Sequence, residues 1–90
     1  MTKSTPAGGN RTVPIYVGAP VNLPTAARAT VEYDDNEAMS TPASVQNTSC
    51  ASGCTINLTI PAGQWWYRWI WQTSGDVTIS SSPVIPLQVE

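Results

Sequence analysis

The sequence contains no histidine and no phenylalanine, and it carries only four basic and six acidic residues among its 90. Histidine is the commonest general base near neutral pH, so its absence removes the usual route to acid–base catalysis. There is also no glycine-rich phosphate loop. A hydrolase using paired carboxylates would need Glu32, Asp34 and Glu37 in a cleft, and a domain of this length has little room for one. We therefore expect neither enzyme activity nor a cofactor.

Basic residues and long apolar runs are equally scarce. The four cations, Lys3, Arg11, Arg28 and Arg68, are scattered, so we expect no binding to nucleic acid. No apolar stretch approaches the roughly 20 residues of a membrane-spanning helix, so no membrane contact is expected. Residues 1–12 are polar and lack the apolar core of a signal peptide. The sequence therefore predicts synthesis in a cytoplasm without standard export.

The residues that are present favour short strands. Eight prolines and six glycines separate stretches rich in Val, Ile, Thr, Trp and Tyr. Alternating apolar residues predict strands near 13–17, 27–33, 43–48, 55–60, 64–72, 77–79 and 85–89. We predict an all-β, Ig-like antiparallel β-sandwich of about seven strands over residues 13–90, preceded by an extended polar arm over residues 1–12. An arm of this kind is normally frayed unless it is tied down, which suggests contact with a neighbouring chain.

Prolines and acidic residues add two local expectations. Pro14 and Pro86 each remove a backbone donor, so the first and last strands are predicted to lie at sheet edges. The run Asp34-Asp35-Asn36-Glu37 interrupts the strand pattern and lacks the spacing and glycine of a calcium-binding loop. We interpret it as a solvated turn.

Residues 64–72 form the most aromatic stretch, Q-W-W-Y-R-W-I-W-Q. Strand alternation predicts two faces. The core face carries Trp65, Tyr67, Trp69 and Trp71. The opposite face carries Trp66, Arg68 and Ile70, where a surface strand would normally be polar. This second face is either covered by the arm or a loop, or it is a contact surface, since Trp and Arg are enriched at interface hot spots.

The same stretch carries a resemblance. Gly63, Trp65, Tyr67, Arg68 and Trp69 match a Gly-x-Trp-x-Tyr-Arg-Trp pattern, which resembles that of small Ig-like proteins from tailed-phage structural gene clusters. Residues 16–23 are similar to the opening strand of those proteins. The resemblance implies a virion structural protein made in the host cytoplasm, most closely a capsid decoration or head-associated protein. Its implied partners are the major capsid protein, other virion proteins or a further copy of the chain.

These observations give a candidate interface and two alternative functions. The predicted interface residues are Trp66, Arg68, Ile70, Arg11 and Pro14. One alternative is an Ig-like module that binds a glycan on a host cell surface, with Trp66 as a stacking platform. The other is an Ig-like domain cut from a larger secreted or tail-fibre protein.

Cys50 and Cys54 are separated by three residues. A zinc site needs two further ligands, and the sequence offers no other cysteine and no histidine, so we predict no metal site. The remaining alternatives are two free thiols or a disulfide across a tight turn, of which we favour the disulfide. A bridge that closes so short a loop contributes about 2 kcal/mol.

Overall fold

The structure, a computed structural model, describes residues 10–90 and is all-β over that range. Its seven strands are β1 (Arg11–Val17), β2 (Arg28–Asp34), β3 (Ala43–Asn47), β4 (Cys54–Ile60), β5 (Gly63–Gln72), β6 (Thr78–Ser81) and β7 (Ile85–Val89). The predicted all-β fold of about seven strands is therefore confirmed. Among the described residues no helix is long and apolar enough to cross a membrane.

The first strand begins earlier than predicted. Arg11 and Thr12 belong to β1 and not to the arm, because they pair with Ile60 and Thr59 of β4. Residues 1–9, which make up most of the predicted arm, lie outside the described residues. The contact between this arm and a neighbouring chain stays a prediction.

The strands form two antiparallel sheets. β1 pairs with β4 in one, and the other has the order β3-β2-β5, with β6 and β7 both on the far edge of β5. This is the order of the central strands of an immunoglobulin sandwich, B-E in one sheet and C′-C-F-G in the other. The A and D strands of that fold have no counterpart within residues 10–90. β5 is thus the central strand of the larger sheet.

The core lies between the two sheets. Its buried side chains alternate along the strands, as the period-2 pattern of the sequence predicts. On β1 and β4 these are Ile15, Val17, Ile56, Leu58 and Ile60. The five-stranded sheet contributes mainly Ala29, Val31, Trp71 and Val89. Trp65, Tyr67 and Trp69 are half-buried against this cluster, which confirms the predicted core face of β5.

The edge positions follow the prolines. Among residues 10–90, β1, which contains Pro14, pairs only with β4, and β7, which contains Pro86, pairs only with β5. Both edge predictions are confirmed. Between β6 and β7 the chain bulges, because residues 82–84 lie opposite only Arg68 and Trp69 of β5. Ser82 closes the gap: its backbone N–H donates to the Trp69 carbonyl oxygen, and its hydroxyl accepts from the Trp69 N–H.

One turn prediction is corrected. Asp34 was expected in a solvated turn, but it is the last residue of β2 and is buried. Its carboxylate accepts a hydrogen bond from the backbone N–H of Thr41 at 3.1 Å, which pins the β2–β3 connection. A buried carboxylate needs such a partner because desolvation of its charge is costly. Asp35 and Asn36 are exposed, as expected.

Candidate interaction surface

The outward side of β5 forms a continuous row that we call the outer strip: Gln64, Trp66, Arg68, Ile70 and Gln72. It runs along the middle of the five-stranded sheet, since β2 flanks β5 on one side and β6 and β7 on the other. On β2 the register places Asp34 beside Trp66, Glu32 beside Arg68 and Thr30 beside Ile70. On the other flank Pro86 lies beside Trp66. The sheet therefore brings Trp66, Arg68 and Ile70 together, as the alternation predicted.

The outer strip is less exposed than the sequence suggested. Trp66, Arg68 and Ile70 are all half-buried, although no described strand covers this side of the sheet. Long side chains on adjacent strands about 5 Å apart shield one another. At the Trp66 end the β2–β3 loop adds cover, since Asp34 beside Trp66 is buried and accepts a hydrogen bond from the Thr41 backbone. The outward residues of β1 and β4, which are shorter, are by contrast all exposed: Thr12, Pro14, Tyr16, Thr55, Asn57 and Thr59.

Arg68 forms an ion pair with Glu32 on the neighbouring strand. The Arg68 Nε donates to Glu32 Oε1 at 2.7 Å, and the two side chains keep 35% and 23% of their exposure. No other hydrogen bond to either side chain is found among the described residues. The pair therefore uses one N–H of the guanidinium and one oxygen of the carboxylate. The remaining donors and the second oxygen are available at the surface.

At the other end of the outward side, four hydrogen bonds link five polar side chains. Gln72 Oε1 accepts from the Thr30 hydroxyl at 2.7 Å and from Gln46 Nε2 at 3.0 Å. Asp76, in the β5–β6 turn, accepts from Gln46 and from Arg28, each at 2.9 Å. The hydrogen bond from Gln46, and secondly that from Arg28, lowers the pKa of the Asp76 carboxyl below its ordinary value. This end pairs its polar groups internally.

Two of the five predicted interface residues lie elsewhere. Pro14 is on the exposed outer face of the two-stranded sheet, on the opposite side of the sandwich from Trp66. Arg11 is half-buried at the start of β1, where its Nε donates to the Glu90 carbonyl oxygen at 3.2 Å. The core separates Pro14 from the outer strip, whereas Arg11 reaches the end of β7 in the same sheet as the strip. The role of both residues as contacts stays a prediction.

A groove borders the outer strip at the end where β5 begins. It is lined by Asp35, Pro61, Ala62, Gly63, Gln64, Trp65 and Trp66. Trp65 is fixed there by a hydrogen bond from its indole N–H to the Pro61 carbonyl oxygen at 3.0 Å. Sequence reasoning missed this groove, because strand alternation assigned the two tryptophans to opposite faces. The available signal for the groove was Pro61-Ala62-Gly63, the corner at which the chain turns from β4 into β5.

The opposite end of the sandwich carries the most exposed large apolar side chains. They are Val21 at 77%, Tyr16 at 76% and Val77 at 61%. The loops here are held together: the Cys50 N–H donates to the Ala27 carbonyl oxygen, and the Ala27 N–H to that of Gln72. Sequence analysis did not select these three residues as contacts, because they come from separate segments of the chain: Tyr16 from β1, and Val21 and Val77 from loops.

Cys50 and Cys54 are joined by a disulfide in the structure, and Cys50 is completely buried. The intervening Gly53 has φ +91°, a left-handed conformation that favours glycine. A Cβ at this position would lie 3.0 Å from the Ala19 nitrogen and 3.1 Å from the Val17 carbonyl oxygen. The bridged turn therefore packs tightly against the end of β1.

No cluster of three or more potential metal ligands occurs among residues 10–90. The outer strip offers aromatic area, an ion pair and amide groups. Comparison with known proteins finds no matching family model, no matching curated protein and no matching solved structure.

Proposed function

We propose that this chain is a non-catalytic structural protein of a tailed-phage particle, most specifically a capsid decoration protein. The proposal combines the resemblance of Gly63, Trp65, Tyr67, Arg68 and Trp69 to small Ig-like phage proteins with the chemistry of the outer strip. Its partners in the particle are the major capsid protein, another virion protein or a further copy of the chain.

The observation that carries the proposal is the outer strip itself. Trp66, Arg68 and Ile70 lie side by side on a sheet face that no described strand covers. Tryptophan and arginine supply a large contact area together with directional hydrogen bonds, and they dominate the energetics of many interfaces. A face that places Trp66 and Ile70 on either side of an ion pair, with glutamines at both ends, combines apolar contact area with polar groups, as protein contacts do.

The test measures binding to particles. The purified chain is mixed with capsids that lack it, prepared from the phage whose structural genes encode it, and bound protein is quantified by sedimentation. We expect the wild-type chain to bind, and Trp66→Ala to lower the affinity at least tenfold, about 1.4 kcal/mol. Thr59→Ala, on the exposed outer face of β4, is the matched control and should bind as the wild type does. No binding by the wild-type chain would contradict the proposal.

The groove beside Trp66 supports a second candidate, a glycan-binding module. Aromatic rings next to the carboxylate of Asp35 and the amide of Gln64 offer apolar stacking together with hydrogen bonding for hydroxyl groups. Under this alternative, titration with neutral oligosaccharides gives saturable binding that Trp66→Ala and Asp35→Ala abolish while capsid binding persists. Absence of sugar binding up to millimolar concentration would eliminate it.

A further inference from the structure

We infer that the outer strip binds a second copy of this chain, face to face, with Glu32 and Arg68 of each copy forming a four-charge cluster at the centre. The inference rests on the proposed function, which treats the outer strip as an interaction surface, and it names the partner. Because the dimer occupies the outer strip, it would contact the particle through other surfaces, and its two points of attachment would raise the overall affinity.

The charge pattern is the first argument. Glu32 and Arg68 are direct neighbours across β2 and β5, so the centre of the face carries one negative and one positive charge. Consider a two-fold axis that lies above this face, parallel to the strands and over the line midway between β2 and β5. It places β2 of one copy over β5 of the other, so Glu32 of each copy faces Arg68 of the second. The pattern is self-complementary, as an isologous interface requires.

The unused hydrogen-bonding capacity is the second argument. Within the described chain the ion pair uses only Arg68 Nε and Glu32 Oε1. The terminal guanidinium nitrogens and the second carboxylate oxygen are therefore free to pair across the two-fold axis. Desolvating an ion pair is costly unless its remaining groups find partners, and the second copy supplies them.

The surrounding side chains complete the contact. The same axis places Ile70 over Thr30 of the second copy, and Trp66 contributes aromatic area beside the exposed Pro86. The hydrogen-bonded network around Gln72 forms a polar rim at one end. From strand spacing and rise, the face measures roughly 20 by 20 Å, or on the order of 400 Å² per copy. Since standard interfaces bury about 800 Å² per partner, we expect a weak dimer with a dissociation constant in the micromolar range.

Charge complementation tests the arrangement directly. Glu32→Arg gives a face with two positive charges, and Arg68→Glu gives a face with two negative charges. Analytical ultracentrifugation over about 1 to 500 µM should show reversible dimers for the wild type and at least tenfold weaker self-association for each variant. An equimolar mixture of the two variants should dimerise again, because every charge then faces its opposite. Stability effects within one chain cannot produce that recovery.

The matched control keeps the same charge changes but moves them off the face. Glu37→Arg and Arg11→Glu alter residues in the β2–β3 loop and at the start of β1, and each variant should dimerise as the wild type does. Circular dichroism confirms that all four variants are folded. A monomeric wild type at 500 µM, or a mixture that stays monomeric, would overturn the inference. If the chain is monomeric but binds capsids, only the dimer is refuted. If the chain dimerises but does not bind capsids, only the proposed function is refuted.

Discussion

The two sides of β5 use similar residues for different purposes. On the inner side Trp65, Tyr67 and Trp69 pack against the core cluster, and Trp71 keeps only 6% of its exposure. On the outer side Trp66 is half-buried beside an ion pair. An inner tryptophan stabilises the fold through the apolar area that it removes from water. An outer tryptophan that is only partly buried retains surface that a partner can bury.

The outer side itself divides into two parts. Around Gln72 every side chain of the polar network has a partner within the chain, whereas Arg68 and Glu32 share a single hydrogen bond. The difference teaches that polarity alone does not identify a contact surface. A polar group that is already paired gains little from a partner, and a group with unused capacity gains more.

The largest expected effect on stability is a difference between the inner and the outer tryptophans of β5. Trp71→Ala should lower the free energy of unfolding by about 3–5 kcal/mol, because it removes a buried ring and leaves a cavity. Trp66→Ala should cost about 1 kcal/mol, since the ring is half-exposed before the change. Urea unfolding followed by circular dichroism measures both, and Trp71→Phe serves if the alanine variant does not fold. Equal losses at the two positions would contradict the comparison.

The disulfide is expected to make the second largest contribution to the free energy of unfolding. Replacing both Cys50 and Cys54 with serine should lower the free energy of unfolding by about 2 kcal/mol, from the lost constraint on the unfolded chain. The control is Ser52→Ala, an exposed position within the same turn. The capsid affinity of the double variant should be unchanged, because the bridged turn lies at the end of the sandwich remote from Trp66. A loss of capsid binding by a folded double variant would extend the contact surface to that end.

On the outer side, Gln72→Ala should cost about 1 kcal/mol. The change removes the acceptor for both Thr30 and Gln46, and a typical intramolecular hydrogen bond contributes about 1 kcal/mol or less when part-exposed. Gln88→Ala is the matched control, since its amide makes only a 3.5 Å contact to the Gly63 carbonyl oxygen. Denaturant unfolding compares the two variants. Indistinguishable stabilities would show that the Gln72 network adds nothing.

The smallest expected effect is on the stability of the fold at acid pH. The pKa of Asp76 is lowered in the folded chain, chiefly by the hydrogen bond from Gln46 and then by that from Arg28. A lowered pKa gives a stabilisation that is fully present above the ordinary aspartate pKa and is lost as the pH falls through the folded value, below about pH 4. Asp76→Asn should therefore flatten the stability profile in that acidic window and leave its shape near pH 7 unchanged. Thermal melts from pH 2 to 7 provide the measurement. An unchanged acid slope would show that Asp76 contributes nothing there.

The sequence predicted the strands and the two sides of β5 because period-2 alternation and proline are local signals. Ile56, Leu58 and Ile60 show the pattern most clearly, and all three are buried. Burial within the outer strip was not predictable, because it depends on which side chains the β2 register places beside Trp66 and Arg68. The same holds for Asp34, whose partner at Thr41 is fixed by the loop, and for Pro14, which the fold carries to the other sheet.

The order of strands also has a consequence for biosynthesis. β1 has no partner until β4 is made, since Val17 pairs with Cys54, and β2 acquires its second neighbour only when β5 is complete. Among the described strands, the β2–β3 hairpin is the one pairing available to the emerging first half of the chain. Contacts between segments so distant in sequence are associated with slow folding. On the ribosome, the β1–β4 sheet can therefore pair only once β4 has left the exit tunnel, and the larger sheet only once β5 has followed.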